Sequence, residues 1–266
     1  MRGSVYSCWI NTISESTETM RTMDRKVFDQ ALQKIVYNER ERLGIGTLSE
    51  KTLHAVVKNY MEPNADYHEV PLEGYVADVF RDEAVIEIQT ANFNVLRRKL
   101  DKFLPLYKVT IVYPIPATKW VIWVDPETGV EVSRRKSPKK GSPYQAFKEL
   151  YRIKTYLNHP NLNVLFLFID LEETKLLDGW SRDKKRGATR YDRIPVALVD
   201  EMLFERVEDY RMMIPPELSG FTSKEYAKSA KIPLSHAQTA MNILHYLELV
   251  ERVGKKGNSY IYEVKE

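Results

Sequence analysis

Two short apolar runs, Tyr75 to Phe80 and Ala84 to Ile88, flank the charged triplet Arg81-Asp82-Glu83. This pattern predicts a β-hairpin with largely buried strands. Upstream, Phe28, Leu32, Ile35 and Val36 recur at helical spacing between Asp24 and Leu43. A second helix is expected after Gly44-Ile45-Gly46, where Thr47 and Glu50 have capping-box spacing and Leu53, Val56, Val57 and Tyr60 form the apolar stripe. Downstream, Asn92 to Leu104 reads as a helix with Phe93, Leu96, Leu100 and Phe103 inward. Lys108 to Ile115 and Lys119 to Val124 are expected strands around a turn at Pro114-Ile115-Pro116, and Asp125 to Gly129 makes a further turn. Tyr144 to Leu157 reads as a helix and Asn163 to Leu171 as a buried strand. Val199 to Tyr210 follows a helical pattern that Pro215-Pro216 interrupts, which places a linker near Arg211 to Ser219.

The last fifty or so residues carry their own pattern. Thr222-Ser223-Lys224-Glu225 is a capping box for a short helix ending near Ala230. Ser235 can cap a longer helix to about Leu247, with Ala237, Met241 and Leu244 inward. Val250 to Val253, the turn Gly254 to Asn258, and Ser259 to Val264 then predict a hairpin.

Composition changes this picture little. The 266 residues are 43% hydrophobic, ordinary for a folded chain, with 40 Lys and Arg against 37 Asp and Glu for a net charge of +3. Any polyanion surface must therefore come from local clustering. The lone Cys8 excludes an intramolecular disulfide and a cysteine zinc cluster, and suits a reducing cytosol. No apolar run approaches membrane-span length, so a cytoplasmic protein away from membranes is expected. Met1 to Thr22 reads as a leader or disordered segment, 23–210 as one α/β domain, and 217–266 as a second, small one.

The chemistry concentrates at the hairpin. Asp78 interrupts the first strand, and Glu87 and Gln89, two apart on the second, project to one face. Burying unpaired charge is costly, and a divalent cation held by oxygen ligands would offset it. Asp78, an eight-residue gap, Glu87-Ile88-Gln89 and a following helix resemble the PD-(D/E)XK nuclease superfamily, with Ala77 in place of the usual proline and Gln89 in place of the commoner lysine. The resemblance implies a restriction-endonuclease-like mixed central sheet flanked by helices. It also implies a Mg²⁺-dependent (or Mn²⁺-dependent) endonuclease that leaves a 5′-phosphate. Asp78, Glu87 and the Ile88 carbonyl would be the metal ligands, and Gln89 would orient water or the phosphate. The superfamily often adds a glutamate from the preceding helix: Glu50 is the candidate, Glu69 and Glu73 compete, and a capping role accounts for Glu50 equally well. Glu50, His54 and Lys58 share one stripe, which also fits a solvated face.

Double-stranded DNA is the expected partner, and pairing of two copies as a homodimer stays open. Arg97 and Arg98 lie on the outer face of the helix after the hairpin. Arg134-Arg135 opens a basic loop running to Gly141, and Lys184, Lys185 and Arg186 sit in a second at Arg182 to Arg193. The C-terminal pattern resembles a winged helix-turn-helix, with Glu248 where glycine is common. That resemblance implies DNA contacts from His236, Gln238, Thr239 and Asn242 on the recognition helix and from Lys255 and Lys256 on the wing. The whole chain also looks like a bacterial protein family of this two-part architecture. A non-catalytic DNA-binding regulator on a degenerate nuclease scaffold is the alternative, and a protein-docking module is a third reading.

Overall fold

The computed structural model describes residues 23–39, 52–180 and 186–265. Helix α1 (Arg25–Leu32) starts at Asp24, whose carboxylate accepts the Lys26 and Val27 N–H groups, and winds on as a π-helical stretch over Gln33–Glu39. Helix α2 (Thr52–Met61) follows, and its predicted stripe of Leu53, Val56, Val57 and Tyr60 is buried. The expected capping pair Thr47 and Glu50 lies outside the described residues.

Among the described residues the strands form one seven-stranded mixed sheet and one three-stranded sheet. Strand β1 (His68–Leu72) pairs antiparallel with β2 (Tyr75–Arg81), which pairs antiparallel with β3 (Ala84–Ile88). After a 3₁₀ turn and helix α3 (Arg97–Phe103), strand β4 (Lys108–Val124) returns parallel to β3. Strand β5 (Glu131–Lys136) folds back on the far half of β4. A 3₁₀ turn, the short helix α4 (Phe147–Leu150) and a second, kinked 3₁₀ turn lead to β6 (Leu162–Trp180), parallel to β4. Strand β7 (Arg186–Phe204) closes the edge antiparallel to β6.

The sheet is covered on both faces. Leu165, Leu167 and Ile169 of β6 pack under α1 and α2 with Ile88 and Val112, while the alternate residues Val164, Phe166 and Phe168 pack with α3 and α4. Each such fully buried side chain contributes roughly 1.5–3 kcal/mol. The result is a mixed α/β protein with a large mixed sheet flanked by helices.

Four expectations need correcting. Pro114-Ile115-Pro116 is not a turn; it lies within β4, with a register shift between Pro116 and Lys119. The Val112 carbonyl accepts the Gln89 N–H on the β3 side, so residues 112, 114 and 116 all point there, just where β3 ends. The two missing N–H groups therefore cost no ladder bonds. Gly141 lies against this stretch, and a Cβ there would come 2.1 Å from the Pro116 carbonyl oxygen. The basic segments are strand in part: Arg134 to Lys136 lie on β5, while Ser137 to Gly141 is loop as expected, and Arg186 opens β7. Val199 to Phe204 is strand, with 3₁₀ structure only from Val207 to Met213. Tyr144 to Leu157 is helical but broken by the kink at Ile153.

The C-terminal part comprises β8 (Phe221–Thr222), α5 (Ser223–Ser229), α6 (Leu234–Tyr246), β9 (Val250–Lys256) and β10 (Ser259–Val264). The predicted Thr222–Glu225 capping box is present, while α6 starts at Leu234 with Pro233 in the N-cap position and no side-chain capping bond, so Ser235 lies inside the helix. Glu248 takes φ +58°, a conformation that favours glycine. This part is not separated from the rest: Tyr226 lies against Phe147 and Tyr144, and its hydroxyl donates to the Met213 carbonyl. Its buried residues Phe221, Ala237, Met241 and Leu244 belong to the same core as Phe166 and Phe204.

Candidate functional site

The hairpin turn places two non-glycine residues, Asp82 and Glu83, at φ +49° and +60°, the paired left-handed geometry that suits the strand twist. From it the ladder runs Arg81–Ala84, Phe80–Val85 and Val79–Ile86. The next residues on the two strands are Asp78 and Glu87. There the backbone ladder stops, and the Asp78 carboxylate instead accepts the Ile88 N–H at 2.7 Å. The same Asp78 oxygen lies 3.2 Å from His54 Nε2 on α2. Glu87 is buried, at 3% exposure, and the Lys99 ammonium of α3 lies 2.7 and 2.9 Å from its two oxygens while also donating to the Val76 carbonyl.

The two acids are driven apart electrostatically. Burial works to raise Asp78, but the His54 contact, the Ile88 N–H and the Lys99 charge outweigh it and hold the group below the ordinary aspartate range. For Glu87, burial first and the Asp78 charge second prevail over Lys99 and push it up to about 7. A carboxylate pair poised in this way gains from any added positive charge at the rung.

Asp78, Glu87 and Ile88 are neighbours where the β2–β3 pairing ends. Gln89 is half-buried beside them, with its amide turned onto the Ala91 carbonyl. Glu50 lies outside the described residues, Glu69 pairs with Lys58, and Glu73 is exposed in the β1–β2 turn. Lys99 was missed: on a helix rich in Lys and Arg, nothing distinguishes the one that turns inward. His54 was noted only as part of a stripe.

The candidate nucleic-acid residues are spread over three surfaces. Arg97 and Arg98 are exposed on α3. Arg134 contacts Glu172 and stacks over Trp120, and Arg135 is exposed. Lys184, Lys185 and the Arg186 side chain lie outside the described residues. On α6, Gln238 is exposed and His236 half-buried, while the Thr239 hydroxyl donates to the Ser235 carbonyl. Asn242 accepts a 2.9 Å bond from Lys154, which also lies over Tyr246, so the C-terminal half of α6 is docked on the larger part. Lys255 and Lys256 are exposed, the first over Tyr260 and the second 3.7 Å from Glu225.

Among the described residues no three His, Cys, Asp or Glu side chains converge at metal-ligand spacing, and none of their helices is long and apolar enough to cross a membrane. The oxygen and nitrogen donors nearest the end of the β2–β3 pairing are the Asp78 and Glu87 carboxylates, the Ile88 carbonyl and His54 Nε2, with Asp78 turned to His54 on α2 and Glu87 to Lys99 on α3.

The mixed sheet and this acidic rung define the class: an α/β protein with a polar cluster at a strand end. A family model described as "Domain of unknown function (DUF8091)" matches residues 51–205, and the chain belongs to that family. The match covers Asp78, Glu87 and Lys99 and ends before α5. A protein of Treponema pallidum (strain Nichols), described as "Uncharacterized protein", is 34% identical over 162 residues, 60% of this chain and 61% of that relative. The chain thus aligns with less than two thirds of that relative's length. No solved structure matches.

Proposed function

We propose that this protein is a metal-dependent nuclease of restriction-endonuclease-like fold that cuts DNA, positioned by a C-terminal winged helix-turn-helix. The observation that carries the reading is the rung itself: Asp78 and Glu87 on adjacent strands at the point where the ladder stops. The element order supports it, with α2, the antiparallel β1-β2-β3, α3 and then β4 parallel to β3. Asp78, Glu87 and the Ile88 carbonyl would hold Mg²⁺ or Mn²⁺, which supplies an activated water and charge stabilisation at the phosphate. His54 fixes the Asp78 carboxylate, Gln89 offers an amide that both donates and accepts, and Lys99 can neutralise Glu87 before loading. The exposed Arg97 and Arg98 of α3, together with Lys255 and Lys256, provide phosphate contacts.

One observation favours the second reading, a non-catalytic DNA-binding regulator: Lys99 grips Glu87 and the Gln89 amide is engaged by Ala91. Plasmid nicking with Mg²⁺, Mn²⁺ or chelator separates the two. The nuclease reading expects metal-dependent nicking that Asp78→Ala and Glu87→Ala abolish without loss of DNA binding. DNA binding with no nicking under any metal leaves the regulator.

A further inference from the structure

The far half of the sheet carries a basic surface assembled from segments that are distant in sequence. The rungs there are Arg135–Val121–Glu173–Arg193 and, two residues on along β4 and β6, Trp123–Lys175–Arg190. Residues two apart share a face on β4 and β6, and across the register shift between Thr174 and Lys175 the contact with Glu173 brings Arg190 to the same side. Glu173 is buried at 3% exposure and gathers Lys119 at 3.2 Å, Arg190 at 3.3 Å and Lys175 at 3.6 Å. Three cations on one carboxylate leave excess positive charge. Arg193 adds a fourth, half-buried and within the field of Glu173 and Asp192. Burial and the neighbouring Arg190 hold it below its ordinary value. Asp192, next in the chain, accepts the Thr52 hydroxyl. Partly buried cations in excess over acids are unfavourable unless an anion completes the cluster.

We propose that Arg193, Arg190, Lys175 and Lys119 form a phosphate-binding site for the nucleic-acid backbone, with Glu173 as the strut that holds three of the cations in place. The inference rests on the nucleic-acid reading above and places the DNA track along the projecting strands. Trp123, which lies under Lys175 at 5.6 Å, stiffens that side chain toward the strand.

The test is fluorescence anisotropy of a labelled DNA duplex with the full chain in chelator, so that no cleavage is required. Arg190→Ala with Arg193→Gln is expected to weaken binding about tenfold at low salt and to lower the log–log salt slope by about two units. Lys108→Ala, which removes one exposed cation from the opposite end of β4, should change affinity less than about twofold. Lys175→Ala, a single partly exposed side chain, carries the test should the double variant lose its fold, with a slope loss of about one unit. Unchanged affinity and slope in these variants, or an equal loss in Lys108→Ala, overturns the site. Metal-dependent nicking by the wild type alongside that result would leave the nuclease reading standing. Loss of binding in the variants with a wild type that never nicks would support the site and remove the nuclease.

Discussion

Lys99→Met tests the electrostatics of the rung. The substitution keeps the apolar stem and removes the ammonium that both Glu87 oxygens and the Val76 carbonyl accept. The lost carbonyl bond costs about 1 kcal/mol at any pH. The Glu87 term depends on pH. Its folded pKa of about 7 lies above the ordinary 4.5, so the folded state binds the extra proton and stability falls as pH rises between those values. Below 7 the carboxyl is neutral in the folded protein and Lys99 does little for it. Above 7 the wild type can ionise Glu87 against Lys99, whereas the variant must keep it protonated or bury a bare charge. The variant's deficit should therefore grow by about 1.4 kcal/mol per pH unit above 7. Urea unfolding of both proteins at matched pH values on either side of 7 measures it. A deficit that stays flat across that range would refute the account, because it would mean Glu87 does not titrate where burial and Asp78 place it. Mg²⁺ or Mn²⁺ should shrink the alkaline deficit by supplying the missing charge.

Tyr226→Phe removes the hydroxyl that satisfies the buried Met213 carbonyl and should cost about 1–3 kcal/mol by urea unfolding; an unchanged midpoint would show that this junction bears no load. Gly141→Ala forces a Cβ against the Pro116 carbonyl oxygen and should cost about 1–3 kcal/mol, read as a lowered Tm. Lys255→Ala with Lys256→Ala should weaken duplex binding at all sequences and lower the salt slope by about one unit per lost phosphate contact, whereas Gln238→Ala should change sequence preference instead.

The parts legible in the sequence are those where one physical signal acts alone. The β2–β3 hairpin shows because two apolar runs meet at a charged turn, and Asp78 and Glu87 stand out because acids are costly inside such strands. Strand β1 was missed because His68-Glu69-Val70-Pro71-Leu72 alternates weakly and contains a proline, tolerable on an edge strand. The Arg134 to Lys136 half of β5 reads as loop because all six residues of the strand are exposed, so burial leaves no period to see. Val199 to Phe204 was read as helix because its pairing partner, β6, lies far back in the chain. Lys99 was invisible for a related reason, and Arg193 showed only as the end of a basic run: their roles come from what the sheet and helices place opposite them, not from their own neighbours.

The central claim is that the Asp78–Glu87 rung takes a divalent cation, and isothermal titration of the metal-free protein with Mn²⁺ tests it most directly. The account predicts one site in the wild type, its loss in Asp78→Ala, and weakened uptake in Glu87→Gln, with the secondary structure of both variants unchanged by circular dichroism. No uptake by the wild type, or uptake that Asp78→Ala leaves intact, would contradict it.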